Sequence, residues 1–562
     1  MSVLIECVPN FSEGRDPAII NALAQRIAAV AGATVLHVDR GHDTNRTVVT
    51  IAGAPGAVCE AAFQGIRAAQ ELIDMRGHAG AHPRMGATDV CPLVPISGIS
   101  LEECAALARQ LAERVGRELG IPVYLYEAAQ PDPARRNLAV IRAGEYEGLA
   151  EKMTRPEWKP DFGPVTFNAR SGATVIGARG FLVAFNVNLN TTSTRRANAV
   201  AFDVREAGRP KREGNPLTGK VVTAPDGSPV MEPGTLKAVK AIGWYIPEYG
   251  VAQVSMNLTD LDVTPLHVAF DEVCRAAAAR GLRVTGSELV GLVPRSALLA
   301  AGRHYLQRQE RSLGVPEPEL IKIAVKSLGL GELAPFRPEE RVIEYRLRDA
   351  AASPLVRMRV AEFVDETASE SAAPGGGSVA ALAGALGAAL GTMVANLSAH
   401  KRGWDARWEE FSRWAETGQD LKDELLRLVD EDTAAFNRVM AALGLPKGSD
   451  AEKAARKAAL AAANRGAVAV PLRVMERSLQ VFPLLEAMAR DGNPASVSDA
   501  GVGALAVRAA VRGAALNVRI NLPGLGDAAE GARLEAQVRD LLAQAEAAEA
   551  RVLAVVDRVI AK

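Results

Sequence analysis

The chain changes its sequence pattern near residue 358, and this change limits the possible folds more than any other feature. Before it, residues 1–328 alternate short β-type runs with stretches of amphipathic helical periodicity. After it, residues 358–562 are rich in Ala, Leu and Arg, with helical spacing and almost no alternating β-branched residues. The first pattern predicts α/β or α+β organisation, and the second predicts an all-α helical bundle. We therefore expect a multidomain protein.

The α/β part divides into two predicted subdomains, residues 1–180 and 181–328. In the first, the order strand–helix–strand–strand–helix–strand predicts a mixed sheet with helices on one face, and we expect a mixed sheet in the second as well. Residues 205–234 are rich in Gly, Pro and charge, which is typical of a surface loop or a hairpin insertion. Residues 329–357 contain three prolines and form the predicted linker to the helical domain, residues 358–562.

Charge and cysteine content exclude several classes of protein. Lys and Arg number 65 and Asp and Glu number 66, so the net charge of −1 gives no electrostatic footprint for nucleic acid or an anionic membrane. The five cysteines are scattered without C-x-x-C spacing, which favours reduced thiols over a disulfide framework or a zinc site. The N-terminus lacks the pattern of a signal peptide. We therefore expect a cytoplasmic protein without a bound metal.

One uncharged run, residues 371–399, is long enough for a membrane span. It consists mostly of Ala and Gly, whose transfer into lipid is far less favourable than that of Leu or Ile. It also opens with the loop PGGGS at 374–378. We therefore predict a buried helix in close contact with other helices.

The first candidate site is the loop GHAGAHPRMGAT at 77–88, which precedes an apolar strand and carries His78, His82 and Arg84. A histidine titrates near neutral pH and is therefore a natural proton acceptor. We favour His82 over His78 because it lies nearer the strand that would position it. A histidine that only caps a turn is the alternative, and it stays open here.

The second candidate is the polar turn DRGHDTNRT at 39–47, between two predicted strands. Asp39 ends a β-type run, where side chains commonly face a cleft. Asn45 and Arg46 could bind a carboxylate, because an arginine offers a bidentate pair of donors. A polar hairpin tip without a function is the alternative.

Three other segments give weaker signals. Asn10 ends a strand where backbone N–H groups could hold an anion, although helix capping explains Ser12 and Asp16 more simply. Residues 161–180 hold four glycines between the two α/β blocks, where ligands often bind. The loop 374–378 precedes a predicted helix, so its N–H groups could bind a carboxylate or phosphate, or it could be a tight turn between packed helices.

The helical domain places a carboxylate on an apolar face. Apolar residues recur with helical spacing from Leu421 to Phe436 and Val439, and Asp432 falls on that stripe while Asp430 is predicted to point elsewhere. A buried carboxylate is costly unless it has a partner or a function, and burial raises its pKa into a range useful for proton transfer. A structural pairing with an arginine or a backbone group is the alternative.

Taken together, these segments resemble the bifunctional formimidoyltransferase–cyclodeaminase family over nearly the whole chain. The α/β motifs that carry the resemblance are ECVPNFSEGRD at 6–16, TNRTV at 44–48, HPRMGATDVCP at 82–92, DFGP at 161–164, GARGFLVAFNVNL at 177–189, IGWY at 242–245, AQVSMNLTD at 252–260 and GSELVGLVP at 286–294. The helical motifs are SAAPGGGSVAA at 371–381, LVDEDTAAF at 428–436, VPL at 470–472 and NVRINL at 517–522. A collinear set of this length is far more specific than any single motif.

The resemblance implies two consecutive reactions. A formimino group moves from N-formimino-L-glutamate to N5 of tetrahydrofolate, and 5-formiminotetrahydrofolate is then cyclised to 5,10-methenyltetrahydrofolate with release of ammonia. By this resemblance the transferase base is His82, with Asp39 as its electrostatic partner, and the cyclodeaminase carboxylate is Asp432.

The same resemblance assigns folate binding to one segment of the chain. Its ten residues are Gly163, Pro164, Val165, Thr166, Phe167, Asn168, Ala169, Arg170, Ser171 and Gly172. Arg46, Arg84 and Arg179 are each candidates to hold the glutamate carboxylates, and the choice among them stays open. Tetrahydrofolate is expected as a co-substrate, polyglutamylated or not, and no tightly bound cofactor is expected.

The resemblance also implies a homo-oligomer formed through the helical domain, for which the Ala- and Gly-rich helix at 378–399 suits a dimer contact. The insertion at 211–233 is longer than the core pattern of the family. Two alternatives remain for the helical domain. It could act as a methenyltetrahydrofolate cyclohydrolase, or it could be a non-catalytic scaffold for oligomerisation.

Overall fold

The structure, a computed structural model, describes residues 3–42, 44–80, 82–214, 218–347 and 354–561. The chain divides into two units. The first comprises Met1–Ala301 and Val325–Leu347, and the second comprises Gly302–Ala324 and Arg348–Lys562. The first unit contains the sheets and the second is helical, as the change of pattern near residue 358 predicts.

The first unit begins with the elements of a large sheet. In chain order they are β1 (Leu4–Cys7), β2 (Asn10–Phe11), α1 (Pro17–Ala28), β3 (Ala33–Gly41), β4 (Arg46–Gly53), α2 (Pro55–Leu72), β5 (Thr88–Ser97), α3 (Leu101–Leu119), β6 (Val123–Glu127), α4 (Leu138–Arg142), α5 (Glu145–Lys152) and β7 (Thr174–Ala178).

This seven-stranded sheet is mixed, as predicted. Strands β1 and β2 pair antiparallel with both β4 and β5, and β3 pairs antiparallel with the outer edge of β4. Beyond β5, strands β7 and β6 run parallel. Helices α1, α2 and α3 bury their apolar faces against one side of the sheet, where Phe11, Phe63 and Ile66 are fully buried. On the opposite side, Ile141 of α4 and Leu149 of α5 pack with Tyr124 and Val175 in a second apolar cluster, so the expectation of helices on one face holds only for α1, α2 and α3.

The helices begin where local sequence favours it. Asp16 caps α1 by accepting a hydrogen bond from the Ala18 N–H at 2.8 Å, and Pro17 occupies the first turn. Ser100 and Glu103 form a capping box at the start of α3, and the helix ends at Gly120, which is left-handed at φ +62°.

The chain continues with a second block, which belongs to this unit except for residues 302–324. Its elements are β8 (Val183–Leu189), α6 (Thr194–Val204), β9 (Arg209–Pro210), β10 (Met231–Glu232), β11 (Val239–Ile246), β12 (Val251–Leu258), α7 (Leu266–Ala278), β13 (Val284–Val290), α8 (Arg295–Arg308), α9 (Glu317–Ser327), α10 (Pro338–Arg341) and α11 (Ile343–Arg346).

The sheet of the second block is antiparallel throughout, in the order β11-β12-β8-β13, so the expectation of a second mixed sheet is wrong. The sequence predicts strands for this block at 181–190, 252–258 and 283–287 but none over Val239–Ile246, so the prediction lacked β11 and the pairing could not be ordered. The insertion at 205–234 contains the short antiparallel pair of β9 and β10, which agrees with a hairpin; residues 215–217 of it lie outside the described residues.

The predicted linker at 329–357 differs from the structure in its first part. Residues up to Leu347 belong to the first unit, where Ile343 is buried against Leu36 and Ala52, and Val342 bridges to Val293. Apolar contacts hold this segment in place despite its charge and proline content. Residues 348–353 lie outside the described residues.

The second unit contains the long helices. Beyond residue 357 they are α12 (Val360–Ala368), α13 (Gly376–Ala399), α14 (Trp408–Leu443), α15 (Asp450–Leu479), α16 (Phe482–Asp491), α17 (Val497–Asn521) and α18 (Ala528–Ile560).

Helix α13 lies at the centre of this bundle, packed mainly between α14 and α17. Its glycines allow close approach, since a Cβ at Gly387 would lie 2.5 Å from Val507 and one at Gly391 would lie 2.9 Å from Leu484. Among the described residues, α13 is the one helix long and apolar enough to cross a membrane by length and composition. More than half of its apolar window is buried in the bundle, which is the placement of a core helix.

Candidate active sites

His82 lies in the loop before β5, and backbone hydrogen bonds tie this loop to the segment 163–172. The N–H of Ala87 donates to the carbonyl of Ser171 at 2.8 Å, and Gly86 forms a bridge with Gly172. Gly172 has φ +65°, and a Cβ there would lie 2.1 Å from the Met85 carbonyl oxygen, so only glycine fits. The loop that carries the predicted base is therefore joined through its backbone to the end of the predicted folate segment.

The imidazole of His82 is half-buried and contacts a guanidinium. Its Nε2 forms a short hydrogen bond with Nη1 of Arg46, and its Nδ1 is buried with no hydrogen-bond partner among the described residues. Burial, followed by the positive charges of Arg46 and Arg142, lowers the pKa of His82 to about 4. The imidazole is therefore neutral at physiological pH, and its Nε2 accepts the hydrogen bond from the guanidinium, which has only donors.

Asp39 stands on β3 beside Arg46 and is exposed to solvent. In the register of the hairpin it pairs with Val48, two residues from Arg46, and its charge favours the protonated guanidinium of Arg46. Burial lowers the pKa of Arg46, which Asp39 and Asp89 partly offset. Asp39 thus acts on the arginine that contacts His82.

His78 and Arg84 belong to a structural network. Arg84 donates to Glu147 at 2.6 and 2.8 Å and to Glu145 at 3.1 Å, and its Nε donates to Nδ1 of His78. Nε2 of His78 then donates to the Asn45 carbonyl at 2.9 Å. Both groups are occupied in holding the loop to helix α5, so the structure places them in a supporting position.

The side chains of two other candidate residues form hydrogen bonds with backbone groups. Asn45 was a candidate to bind a carboxylate, but its amide is used to accept from the Gly14 N–H and to donate to the Ala79 carbonyl, both at 3.0 Å. Ser12 is not a cap, because its hydroxyl donates to the Gly86 carbonyl at 2.7 Å. Asp16 does cap α1. Asn45 and Ser12 therefore bind segments distant in sequence.

Arg179 faces a buried carboxylate. Its charge opposes the effect of burial on Glu6, whose pKa is raised to about 7, with Glu344 adding to the rise. Arg179 also donates to the Gly180 carbonyl at 2.9 Å. Of the three arginines considered for the glutamate carboxylates, Arg46 is the one that contacts His82.

Sequence reasoning missed two residues near His82, which are Asp89 and Arg142. Arg142 ends α4 and forms an ion pair with Asp89 at the start of β5, where the carboxylate is 1% exposed. The charged start of the otherwise apolar run DVCPLVP was the available signal for Asp89. Arg142 lay in a segment with no distinguishing pattern.

The segment 163–172 carries an exposed aromatic contact. The rings of Phe167 and Tyr146 lie 5.5 Å apart at 50°, and Tyr146 donates its hydroxyl hydrogen to the Ala169 carbonyl. At the other end of the segment, Gly163 has φ +82° and its Cα packs against Gly116 of α3. The segment is therefore held at Gly163 and at Ala169, while Val165 and Phe167 are exposed to solvent.

The second site lies where α14 meets the first turn of α13. The Asp432 carboxylate rests against the backbone of Gly377, and a Cβ at that glycine would lie 2.2 Å from Oδ1. The hydroxyl of Ser378 lies 3.2 Å from Oδ2 of Asp432 and 2.9 Å from the Val429 carbonyl. Two separate predictions, the PGGGS loop and the stripe carboxylate, therefore meet in one place.

Burial raises the pKa of Asp432, and hydrogen bonds from the hydroxyl and backbone N–H of Ser378 oppose that rise. The N-terminal end of a 24-residue helix also favours a negative charge. The net effect is a pKa of Asp432 above the ordinary aspartate value, with burial as the largest cause. Asn517 of α17 borders the same turn, 3.4 Å from the position of a Cβ at Gly376.

The apolar stripe predicted on α14 is buried only in part. Asp430, which the sequence placed off the stripe, is buried and accepts hydrogen bonds from the N–H groups of Leu355 and Val356. On the stripe itself, Phe436 is 37% exposed and Val439 is half-buried, although Ala442 further along α14 is buried. Among the described residues, no group of three or more His, Cys, Asp or Glu side chains could hold a metal ion.

Family profiles match nearly the whole chain in three consecutive parts. The N-terminal subdomain of the formiminotransferase domain matches residues 4–179, the formiminotransferase domain matches residues 184–348, and formiminotransferase-cyclodeaminase matches residues 359–540.

Individual proteins match in the same pattern. Formimidoyltransferase-cyclodeaminase from Sus scrofa is 44% identical over 98% of this chain and 98% of its own length. Glutamate formimidoyltransferase from Streptococcus pyogenes serotype M1 is 40% identical over 55% of this chain and 95% of its own. Methenyltetrahydrofolate cyclohydrolase from Methylorubrum extorquens is 39% identical over 34% of this chain and 91% of its own. The crystal structure of formiminotetrahydrofolate cyclodeaminase from Thermotoga maritima is 29% identical, covers 36% of this chain and 98% of that chain, and gives a TM-score of 0.33.

Proposed function

The chain belongs to the formimidoyltransferase-cyclodeaminase family, and from that premise we propose that His82 and Asp432 each move the protons of one of its two reactions. The chain transfers the formimino group of N-formimino-L-glutamate to tetrahydrofolate and cyclises the product to 5,10-methenyltetrahydrofolate with release of ammonia. The observation that carries the proposal for the transferase is the contact between His82 and Arg46.

In the transferase step, N5 of tetrahydrofolate attacks the formimino carbon. Neutral His82 accepts the proton that N5 loses, and the tetrahedral intermediate then breaks its bond to the glutamate nitrogen. The leaving nitrogen takes a proton back from the same imidazole. One group can serve both steps because the proton accepted first is the proton returned.

Substrate binding would raise the pKa of His82 and make it a stronger base. A base with a pKa of about 4 is weak, and part of that depression comes from the charge of Arg46. A substrate carboxylate bound to Arg46 would neutralise that charge, and the pKa of His82 would rise toward neutrality. Asp39 holds Arg46 charged and so supports the carboxylate site as its electrostatic partner.

Tetrahydrofolate would lie along residues 163–172. Support comes from the hydrogen bonds that join this segment to the loop of His82 and from the exposed ring of Phe167 beside Tyr146. In this arrangement a flat heterocycle packs on the aromatic rings while N5 approaches the imidazole of His82.

In the cyclodeaminase step, N10 of 5-formiminotetrahydrofolate attacks the formimino carbon. Asp432 accepts the proton from N10 and gives it to the departing amino group, which leaves as ammonia. The partly buried position of Asp432 supports this double role, because its raised pKa brings the neutral form closer to physiological pH.

We propose further that the chain forms a homo-oligomer through its helical unit. The support is a set of exposed apolar side chains on two neighbouring helices. On α13 they are Val379, Leu386, Met393 and Leu397, and on α17 they are Val502, Leu505, Leu516 and Ile520. A second copy of the same face would cover them.

We also propose a cytoplasmic location and no tightly bound cofactor besides the folate co-substrate. The five cysteines are free thiols, including Cys7 and Cys91, whose sulfur atoms lie 3.4 Å apart without a disulfide. Neither proton-transfer step as written requires a metal or a redox group.

The test supplies the purified chain with N-formimino-L-glutamate and tetrahydrofolate while methenyltetrahydrofolate absorbance and ammonia are followed. Equal formation of both products supports the proposal. Formation of 5-formiminotetrahydrofolate without ammonia would favour a scaffold, and hydrolysis of supplied methenyltetrahydrofolate without cyclisation would favour a cyclohydrolase.

A further inference from the structure

Arg142 and Asp89 form an ion pair close to the loop that carries His82. Nε of Arg142 donates to Oδ1 of Asp89 at 3.3 Å, and Nη2 donates to Oδ2. Oδ1 also accepts the backbone N–H of Met85 at 3.0 Å. With Asp89 1% and Arg142 16% exposed, the orientation of the guanidinium is fixed by a buried partner.

The Arg142 guanidinium acts on the same groups as the transferase site. Its positive charge lowers the pKa of both His82 and Arg46, and Asp89 acts on Arg46 in the opposite direction. Arg142 and Arg46 therefore both act on one imidazole, and Asp89 and Asp39 are the carboxylates that act on Arg46.

The hydrogen bonds to Asp89 use one edge of the guanidinium. Nε and one hydrogen of Nη2 face the carboxylate, and among the described residues Nη1 of Arg142 has no hydrogen-bond partner. An arginine held from one edge by a buried carboxylate offers its other edge to an anion at low entropic cost. The formimino donor carries two carboxylates, one more than Arg46 alone can bind in a bidentate manner.

We propose that Arg142 binds one of the two carboxylates of the formimino donor, and that Asp89 is the positioning residue that holds Arg142 for this purpose. The inference rests on the proposed function, since it takes the donor to lie beside His82. It adds a specificity determinant that distinguishes a dicarboxylate donor from one with a single carboxylate.

The experiment compares three donors in the Arg142→Gln variant and the wild type. N-formimino-L-glutamate carries both carboxylates, N-formimino-4-aminobutyrate lacks the α-carboxylate, and N-formimino-L-norvaline lacks that of the side chain. In the wild type, each donor that lacks a carboxylate should have a lower kcat/KM than N-formimino-L-glutamate. In Arg142→Gln the glutamate donor should lose about tenfold to a hundredfold in kcat/KM, and its advantage over one of the other donors should shrink by the same factor.

Asp89→Asn should reproduce this loss of donor preference. The amide NH2 of asparagine would face either Nη2 of Arg142 or the Met85 N–H, and neither of these donors can accept a hydrogen bond from it. The double variant should then lose little more than either single variant. Arg117→Gln, on the exposed surface of α3, is the matched control and should leave all three donors unchanged. Thermal unfolding monitors whether each variant folds.

Donor preferences that stay at the wild-type ratio in Arg142→Gln would overturn the proposal, since a purely structural arginine would lower all three donors alike. Independent losses that add in the double variant would overturn the positioning role of Asp89. A different result would overturn the proposed function itself. In that case His82→Ala would keep its transferase activity, whatever donor preference the other variants show.

Discussion

The Asp432 carboxylate occupies the space that a side chain at Gly377 would need, with Oδ1 2.2 Å from the position of a Cβ. The glycine lets the first turn of α13 close over a carboxylate that α14 supplies. The candidate cyclodeaminase group is thereby fixed by backbone contact as well as by the hydroxyl of Ser378.

Replacement of this glycine should therefore disable one activity selectively. Gly377→Ala should lower cyclodeaminase activity by about a hundredfold, because the added methyl group displaces Asp432 by roughly an ångström or more. Transferase activity should be unchanged. Gly531→Ala, where nothing lies within 4 Å of a Cβ, is the matched control and should keep both activities. Full cyclodeaminase activity in Gly377→Ala would show that the position of Asp432 is not critical.

Removal of the Ser378 hydroxyl should change the pH dependence of cyclisation. Its hydrogen bond lowers the pKa of Asp432, so Ser378→Ala should raise that pKa further above the ordinary aspartate value. The pH at which cyclodeaminase activity changes with ionisation of Asp432 should move upward. The measurement is the pH profile of kcat/KM with supplied 5-formiminotetrahydrofolate. A profile that stays in place or moves downward would contradict the assignment.

Arg46 should influence the acidic side of the pH profile of transferase activity. In the free protein the pKa of His82 is about 4, so the base loses activity only when the pH falls to that region. Arg46→Gln removes a positive neighbour, and the pKa should rise toward 6.5, the ordinary histidine value. The acid limb of kcat/KM for the transferase should therefore move to higher pH, with an increased KM for the donor. A downward shift would be incompatible with the contact described.

The close contact between Gly172 of the folate segment and the loop of His82 should not tolerate a side chain at position 172. Gly172→Ala places a Cβ 2.1 Å from the Met85 carbonyl oxygen at a left-handed φ, so the two segments must separate. Transferase activity should fall by about tenfold or more, with a raised KM for tetrahydrofolate. Gly56→Ala in α2, which meets nothing within 4 Å, should be neutral. Equal kinetics for the two variants would show that the contact at Gly172 is not needed for transferase activity.

Sequence periodicity identified Asp432 because a carboxylate on an apolar helical stripe is rare without a role. The same periodicity placed Asp430 off the stripe but gave no sign that it is buried, with backbone N–H groups of Leu355 and Val356 as its partners. A stripe shows which side of a helix is apolar. It does not show which backbone groups from another segment need an acceptor there.

The transferase site was predictable only in part for a similar reason. His82 lay in a distinctive loop before an apolar strand, whereas Arg142 lay in a plain segment and acquires its place only when α4 packs on the sheet. Asn45 belonged to a polar turn, and its two long-range hydrogen bonds to Gly14 and Ala79 arise from chain crossings that a local pattern does not encode.

The second sheet shows how one missing element changes a topology. Strand β11 alternates exposed and buried residues over Val239–Ile246, yet it was absent from the predicted order. With it, β12 and β8 each have antiparallel neighbours on both sides. The start of α1 was easier to predict, because Asp16 marks it locally as a cap.

Assaying both activities in His82→Ala shows whether the two reactions depend on two separate proton-transfer groups. The variant receives either N-formimino-L-glutamate with tetrahydrofolate, or 5-formiminotetrahydrofolate alone, and ammonia release is measured. We expect almost no ammonia from the first mixture and release at the wild-type rate from the second. Wild-type release of ammonia from the first mixture would contradict this expectation.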